Sequence, residues 1–301
     1  MRSPELRMCP GCGESIPAHL DNCGWRECRL YRPPLVVSFG AGVDSMAMLV
    51  GLSARGERPD AIVFSDTMGE KPETYRYIAD QVLPWCTRNG FPWVTGVTRP
   101  SFGRGKTGDQ SLEEECIRLG NVPSRAFGYS TCADKWKIDP FKWWALEFAA
   151  KWYQPSRGWL GLAFPMVRCL GFEFGEERRI SKIEEKGMVK RYPLIEWKWD
   201  RDRCEQEILD AGLRLPPKSA CFFCPSSTKT EILTLAKEHP DLMARALAME
   251  SASNATGRWN IKGLGRRFSW GEFLESSEAQ RDLFPEQPVE SCGVCHEAGD
   301  Q

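Results

Sequence analysis

Leu35–Val50, LVVSFGAGVDSMAMLV, runs an apolar strand into a glycine turn and on into an amphipathic helix starting near Asp44. Gly40 and Gly42 open backbone angles that side chains forbid, so amide N–H groups can converge on an anion at the positive end of that helix. Ser38, Ala41 and Val43 belong to the same cradle. Asp44 offers a carboxylate for magnesium or a water, and Ser45 offers a hydroxyl for a phosphate oxygen. The alternative is a purely structural connection, in which Asp44 caps the helix and Ser45 is solvated.

Ala61–Phe64, AIVF, reads as a second strand, followed by Ser65-Asp66-Thr67 and a helix opening at Lys71-Pro72-Glu73-Thr74. Ligands of open α/β sheets lie outside the carboxyl ends of the strands, which would set Asp66 and Thr67 beside whatever Gly40–Ser45 holds. Asp66 also suits an ordinary turn. A polyphosphate needs countercharge, and Lys137, just before DPFKWWALEFAAKW, and Arg178 and Arg179, after the apolar run MVRCLGF, stand where it would be supplied. Glu173, Glu176 and Glu177 compete for the same arginines. Lys262, Arg266 and Arg267 in IKGLGRRFSW form a further basic loop, either a lid or a solvated segment.

Short apolar runs alternating with longer periodic ones over 301 residues predict an α/β fold, a mostly parallel sheet with helices on both faces. The expected divisions are a metal-binding ribbon over 1–32, a nucleotide-binding domain over 33–215 and a helical region over 216–301 that closes over the site. SLEEECIRLG carries Leu112, Cys116 and Leu119 at helical spacing, and EILTLAKEHPDLMARALAMESA reads as two helices broken at Pro240. A net charge of −1 gives no global pull toward nucleic acid or an anionic membrane. No apolar run approaches the roughly 20 residues of a bilayer span, and the amino terminus lacks the apolar block of a secretion signal. The expected location is the cytoplasm. The 12 tryptophans serve core packing or a stacking wall for a base.

Thirteen cysteines in a reducing compartment point to metal rather than disulfides. Cys9-Pro10-Gly11-Cys12 with Cys23 and Cys28 makes a small four-cysteine zinc ribbon, with His19 able to replace one of the later cysteines. Cys221 and Cys224 form a second pair, Cys292 and Cys295 a third in the carboxyl-terminal tail, and two such pairs can make one site for zinc or a four-iron cluster. Cys86, Cys116, Cys169 and Cys204 sit in apolar stretches and read as packing residues.

Taken in order, these segments resemble the PP-loop adenine nucleotide hydrolase superfamily and, within it, the phosphoadenosine phosphosulfate (PAPS) reductase family. Gly40-Ala41-Gly42-Val43-Asp44-Ser45 looks like that superfamily's SGGxDS loop with its first two positions altered. Asp66-Thr67 with Pro72-Glu73-Thr74 looks like its DTG and PET segments, Cys132 with Lys137 and Pro140 like its Cys and Lys-x-x-Pro segment, and Gly171, Glu176 and Arg179 like its later Gly and Arg segment. The resemblance implies a Rossmann-like fold that binds an adenine nucleotide, ATP or PAPS, with Mg2+ at an Asp44-Ser45 loop and Lys137 and Arg179 on the phosphates. The retained Asp-Ser pair favours ATP, cleaved between the α and β phosphates to adenylylate an acceptor, as in sulfur transfer. The alternatives are a sulfonucleotide reductase, in which Cys292 attacks sulfur and thioredoxin resolves the product, and a nucleotide-loaded accessory module of a larger protein complex. Cys292 as nucleophile and Cys292 as metal ligand exclude each other, and the lone Cys132 departs from the Cys-Cys pair of iron–sulfur members.

Overall fold

The computed structural model describes residues 6–8, 15–17, 32–99, 108–123, 131–152, 166–180, 185, 187–257, 262–265 and 267–283. Cys9, Cys12, His19, Cys23 and Cys28 of the expected ribbon, and Cys292 and Cys295 of the tail, lie outside the described residues. Strands β1 (Leu6–Met8) and β2 (Ser15–Pro17) pair antiparallel on either side of Cys9 and Cys12 in the chain.

The main sheet contains β3 (Leu35–Ser38), β4 (Ala61–Ser65), β5 (Val94–Val97), β6 (Met166–Leu170) and β7 (Met188–Arg191). All are parallel, in the spatial order β5-β4-β3-β6-β7. The chain therefore winds outward from β3 in both directions, and β3 has Ile62 of β4 and Cys169 of β6 on its two sides at Val37. The described helices are α1 (Val43–Ala54), α2 (Pro72–Tyr77), α3 (Leu83–Arg88), α4 (Leu112–Leu119), α5 (Thr131–Ala133), α6 (Asp139–Trp152) and α7 (Pro193–Glu196). They continue with α8 (Arg201–Asp210), α9 (Lys229–Glu238), α10 (Pro240–Thr256) and α11 (Trp270–Leu283). Five-residue π-helical turns, Ile78–Val82 and Asp134–Ile138, lead into α3 and α6.

Side chains of a strand alternate between faces, and here both faces are covered. Val37, Ile62, Phe64 and Cys169 pack with α1, α2, α3 and α8, while Val36, Ala61, Val63 and Met166 pack with Phe141 and Ala145 of α6. That is the expected α/β arrangement. The amphipathic reading of α1 does not hold: Ser45 through Leu52 are all buried, because α8 covers the face turned away from the sheet. Cys86, Cys169 and Cys204 are fully buried in this core and Cys116 in the second one, and desolvation pushes the Cys86 thiol up to about 11 and the other three up to about 12.

The second core joins Leu112, Cys116, Val122 and Trp136 to Phe222, Phe223, Ile232, Met249, Leu264 and Trp270. Buried Glu250 ties its last loop down, accepting from the amides of Leu264 at 2.7 Å, Trp270 at 2.9 Å and Gly271 at 3.1 Å and from Ser269 Oγ at 2.6 Å. Lys262 and Arg267 ride on this anchored loop, and Arg266 is outside the described residues. No described helix is long and apolar enough to cross a membrane.

Gly51 of α1 tests how closely this helix is clamped. A Cβ there would stand 2.2 Å from Trp197, whose ring is held between Trp199, 5.1 Å away, and the Arg55 guanidinium, 4.0 Å away. Gly51→Ala gains about 1 kcal/mol of helix propensity, but overpacking against a ring that cannot swing costs about 1–3 kcal/mol. The expected outcome is a net loss of stability in urea unfolding; a rise in midpoint would contradict the packing.

Candidate functional site

β3 ends at the point where the strand order reverses, the place where open α/β sheets leave a crevice. Gly42 is the N-cap of α1 and gives it no side-chain cap, so Asp44 is the helix's second residue rather than its cap. Among the described residues, none of the amides of Gly40, Ala41, Gly42 and Val43 finds an acceptor. Four donors at the start of a 12-residue helix make a site for an anion. The backbone differs from expectation in one respect: the left-handed residue is Ala41, at φ 59°, while Gly42 is extended at φ −104°, ψ −179°. The glycines act through space instead, since a Cβ added at Gly40 or Gly42 would meet nothing within 4 Å. The end of β6 closes in from the side, where a Cβ on Gly171 would lie 3.1 Å from the Asp44 carbonyl carbon.

Ser45 Oγ is buried and donates to the Gly42 carbonyl at 3.0 Å, and Ser38 Oγ accepts from Arg168 Nε at 2.8 Å. Both hydroxyls thus hold the loop's own frame. Arg168 is itself buried, 3.0 Å from Glu185 and stacked 3.8 Å over Phe141.

Beside the loop, at the carboxyl end of β6, stand Asp44, Glu173 and Glu176 with Arg179 and Arg201. Arg179 Nη1 donates to Glu176 Oε2 at 2.6 Å and its guanidinium lies 4.9 Å from the Phe172 ring centre. Arg201 lies 3.1 Å from both Asp44 Oδ1 and Glu173 Oε2. Both of those oxygens are buried without an aligned hydrogen bond, so the ion pairs are close but imperfect. Burial raises the pKa of Asp44 and of Glu173, with Arg201 opposing. Arg201 and Glu173 stand here without matching any motif in the sequence; Glu173 is signalled only as a charged residue following a strand end, and Arg201, the first residue of α8, by no local pattern.

A second group occupies the carboxyl end of β4. Asp66 Oδ1 accepts from the Met68 amide at 2.7 Å and from Tyr75 Oη at 2.9 Å, the geometry of a turn acid, and it holds Met68 at φ 58° with half its side chain exposed. Ser65 Oγ donates to the Lys137 carbonyl at 2.8 Å, which seats the π turn on the strand. Lys137 Nζ is 3.5 Å from buried Glu70, which also accepts from Ser219 Oγ at 3.2 Å. Desolvation would lower the Lys137 pKa, but Glu70 and the Cys221 and Cys224 sulfurs outweigh it and hold the ammonium charged. Thr67 is buried with Oγ1 2.9 Å from Cys221 Sγ.

Cys116, Cys132 and Cys221 come together in the second core. Cys116 and Cys132 also line a cavity of about 390 Å3 with Glu115, Asp134, Lys135 and Trp136, next to the turn that carries Lys137. Among the described residues, however, no three Cys, His, Asp or Glu are arranged to hold a metal ion. The four-thiolate expectation for Cys221 and Cys224 thus depends on Cys292 and Cys295, outside the described residues.

No protein-family model matches the sequence, and no curated protein matches it. Among solved structures it is similar to the U34-tRNA thiolase NcsA from Methanococcus maripaludis with its [4Fe-4S] cluster, at 13% identity over 81% of each chain and a TM-score of 0.35. That likeness is too distant to carry chemistry from one protein to the other.

The raised pKa of Asp44 has a measurable consequence. A carboxyl whose folded pKa lies above its unfolded value costs stability once pH exceeds the unfolded value of about 4, and the cost is complete above the folded pKa. Asp44→Asn removes that cost. Its melting temperature should exceed that of the unaltered protein at pH 7 to 8, and the gap should close toward pH 4; an Asp44→Asn protein less stable at pH 7 would contradict the burial argument.

Proposed function

We propose that the protein binds an adenine nucleotide at the β3–α1 loop and cleaves ATP between the α and β phosphates to adenylylate an acceptor, in chemistry of the sulfur-transfer kind. The observation that carries this reading is the loop itself: four amides without a protein acceptor, an uncapped helix start and open space above two glycines, all at the switch point of a parallel sheet. The resemblance to PP-loop proteins supports the identity of the guest.

In the proposed reaction an acceptor oxygen attacks the α phosphorus, the bond from that phosphorus to the bridging oxygen breaks, and pyrophosphate leaves while the acceptor's proton passes to solvent. The loop amides orient the departing phosphates and stabilise the charge that gathers on them. Lys137, whose turn is seated on the β4 end, would meet the nucleotide from one side, and Arg179 and Arg201 beyond β6 would meet it from the other. Asp44, with Glu173 beside it, supplies oxygen donors of the type that hold Mg2+ together with phosphate oxygens, which fits their unaligned buried oxygens. Such an ion would neutralise the leaving pyrophosphate. The cavity between α4 and the π turn offers the acceptor a place to bind.

The test is product analysis with Mg2+ and ATP, with water as the default acceptor. The expected products are AMP and pyrophosphate, and Asp44→Asn should lower their rate by about 100-fold or more. Formation of ADP and phosphate, or binding with no turnover, would overturn the cleavage. Sulfite released from PAPS with thioredoxin, and abolished by Cys292→Ser, would replace it with the reductase reaction.

A further inference from the structure

We propose that Arg201 is the residue that grips the nucleotide's phosphates at this loop, and that in the nucleotide-free protein its guanidinium is parked on Asp44 and Glu173. The proposal rests on the nucleotide reading above and names a residue that no motif marks.

Arg201 is the first residue of α8, whose N-cap Asp200 accepts from the Arg203 amide at 2.9 Å. Because α8 packs along α1, the guanidinium is delivered to the start of α1, where the loop amides stand. It is held there loosely. Nη2 is 3.1 Å from Asp44 Oδ1 and Nε is 3.1 Å from Glu173 Oε2, neither aligned as a hydrogen bond, and the side chain is 45% exposed.

Arg179 and Lys137 are held differently. Arg179 is bonded to Glu176 and stacked on Phe172, and Lys137 is paired with Glu70 at the end of β4. A guanidinium with two misaligned ion pairs loses little by turning toward a phosphate, and its planar fork can then make the aligned pair it lacks. Asp44 and Glu173 would be left facing Glu176 and Arg179, with more carboxylates than cations among them. The exchange is therefore strongest when the nucleotide arrives with a divalent cation.

The test is calorimetric titration of the protein with ATP, with and without Mg2+, for the unaltered protein and for Arg201→Gln, Arg201→Lys and Arg179→Gln. Loss of a charge-assisted phosphate bond predicts that Arg201→Gln weakens ATP binding about tenfold or more, that Arg201→Lys restores part of it, and that Arg179→Gln weakens it less. An arginine with a purely structural role would change the melting temperature and leave ATP affinity in place, with no rescue by Arg201→Lys, which would overturn the proposal. ATP affinity in Arg201→Gln within twofold of the unaltered protein, or a larger loss in Arg179→Gln, would also overturn it while the nucleotide site stands. Failure of the unaltered protein to bind ATP would instead overturn the nucleotide reading.

Discussion

The position of α1 is the constraint on which the rest depends. Its eight consecutive buried residues, Ser45 to Leu52, are gripped between the sheet and α8, and Gly51 gives up its side chain so that Trp197 can lie against it. A helix held on two sides cannot rotate or slide. Its first turn is therefore delivered to one place, between the carboxyl ends of β3 and β6, with Gly171 passing within contact distance. The open amides of Gly40 to Val43 follow from that placement and from an N-cap with no side chain to satisfy them.

Charge at this edge of the sheet is arranged as partnered groups of unequal firmness. Glu70 receives Lys137 and Ser219, Glu176 receives Arg179, and Asp44 and Glu173 share Arg201. On the proposed reading, an anion at the loop amides that also recruits one of these cations draws it away from a carboxylate, so that part of the affinity is a difference between two ion-pairing states rather than a simple sum of attractions. Burial keeps Asp44 and Glu173 reluctant to ionise, which destabilises the folded chain slightly and leaves two oxygens ready for a better partner. Strain of this kind is common where a site is built for a guest rather than for the empty fold.

Much of the frame was legible in the sequence because the burial that creates it also writes the pattern. β3 and β4 are covered on both faces and read as unbroken apolar runs, and α9 and α10 break at Pro240 as the missing amide requires. The strands β5 and β7 left little trace: each has four residues at a sheet edge, and Thr95, Gly96 and Val189 are exposed, so no apolar run forms. The amphipathic reading of α1 failed because nothing local announces that α8 will cover its outer side. The left-handed bend falls on Ala41 rather than on either glycine, and no local pattern in the sequence marks that residue. Arg201 and Glu173 meet Asp44 only through folding, and the shared core of Cys116, Cys132 and Cys221 likewise joins segments far apart in the chain.

The central claim is that the amides at the start of α1 receive the phosphates of an adenine nucleotide. Amide chemical shifts of isotope-labelled protein, followed during titration with ATP, test it most directly. The account predicts large, saturable shifts at Gly40, Ala41, Gly42 and Val43, with smaller ones at Gly171 and Arg201. Saturable shifts confined to other parts of the chain, or none at millimolar ATP, would contradict it.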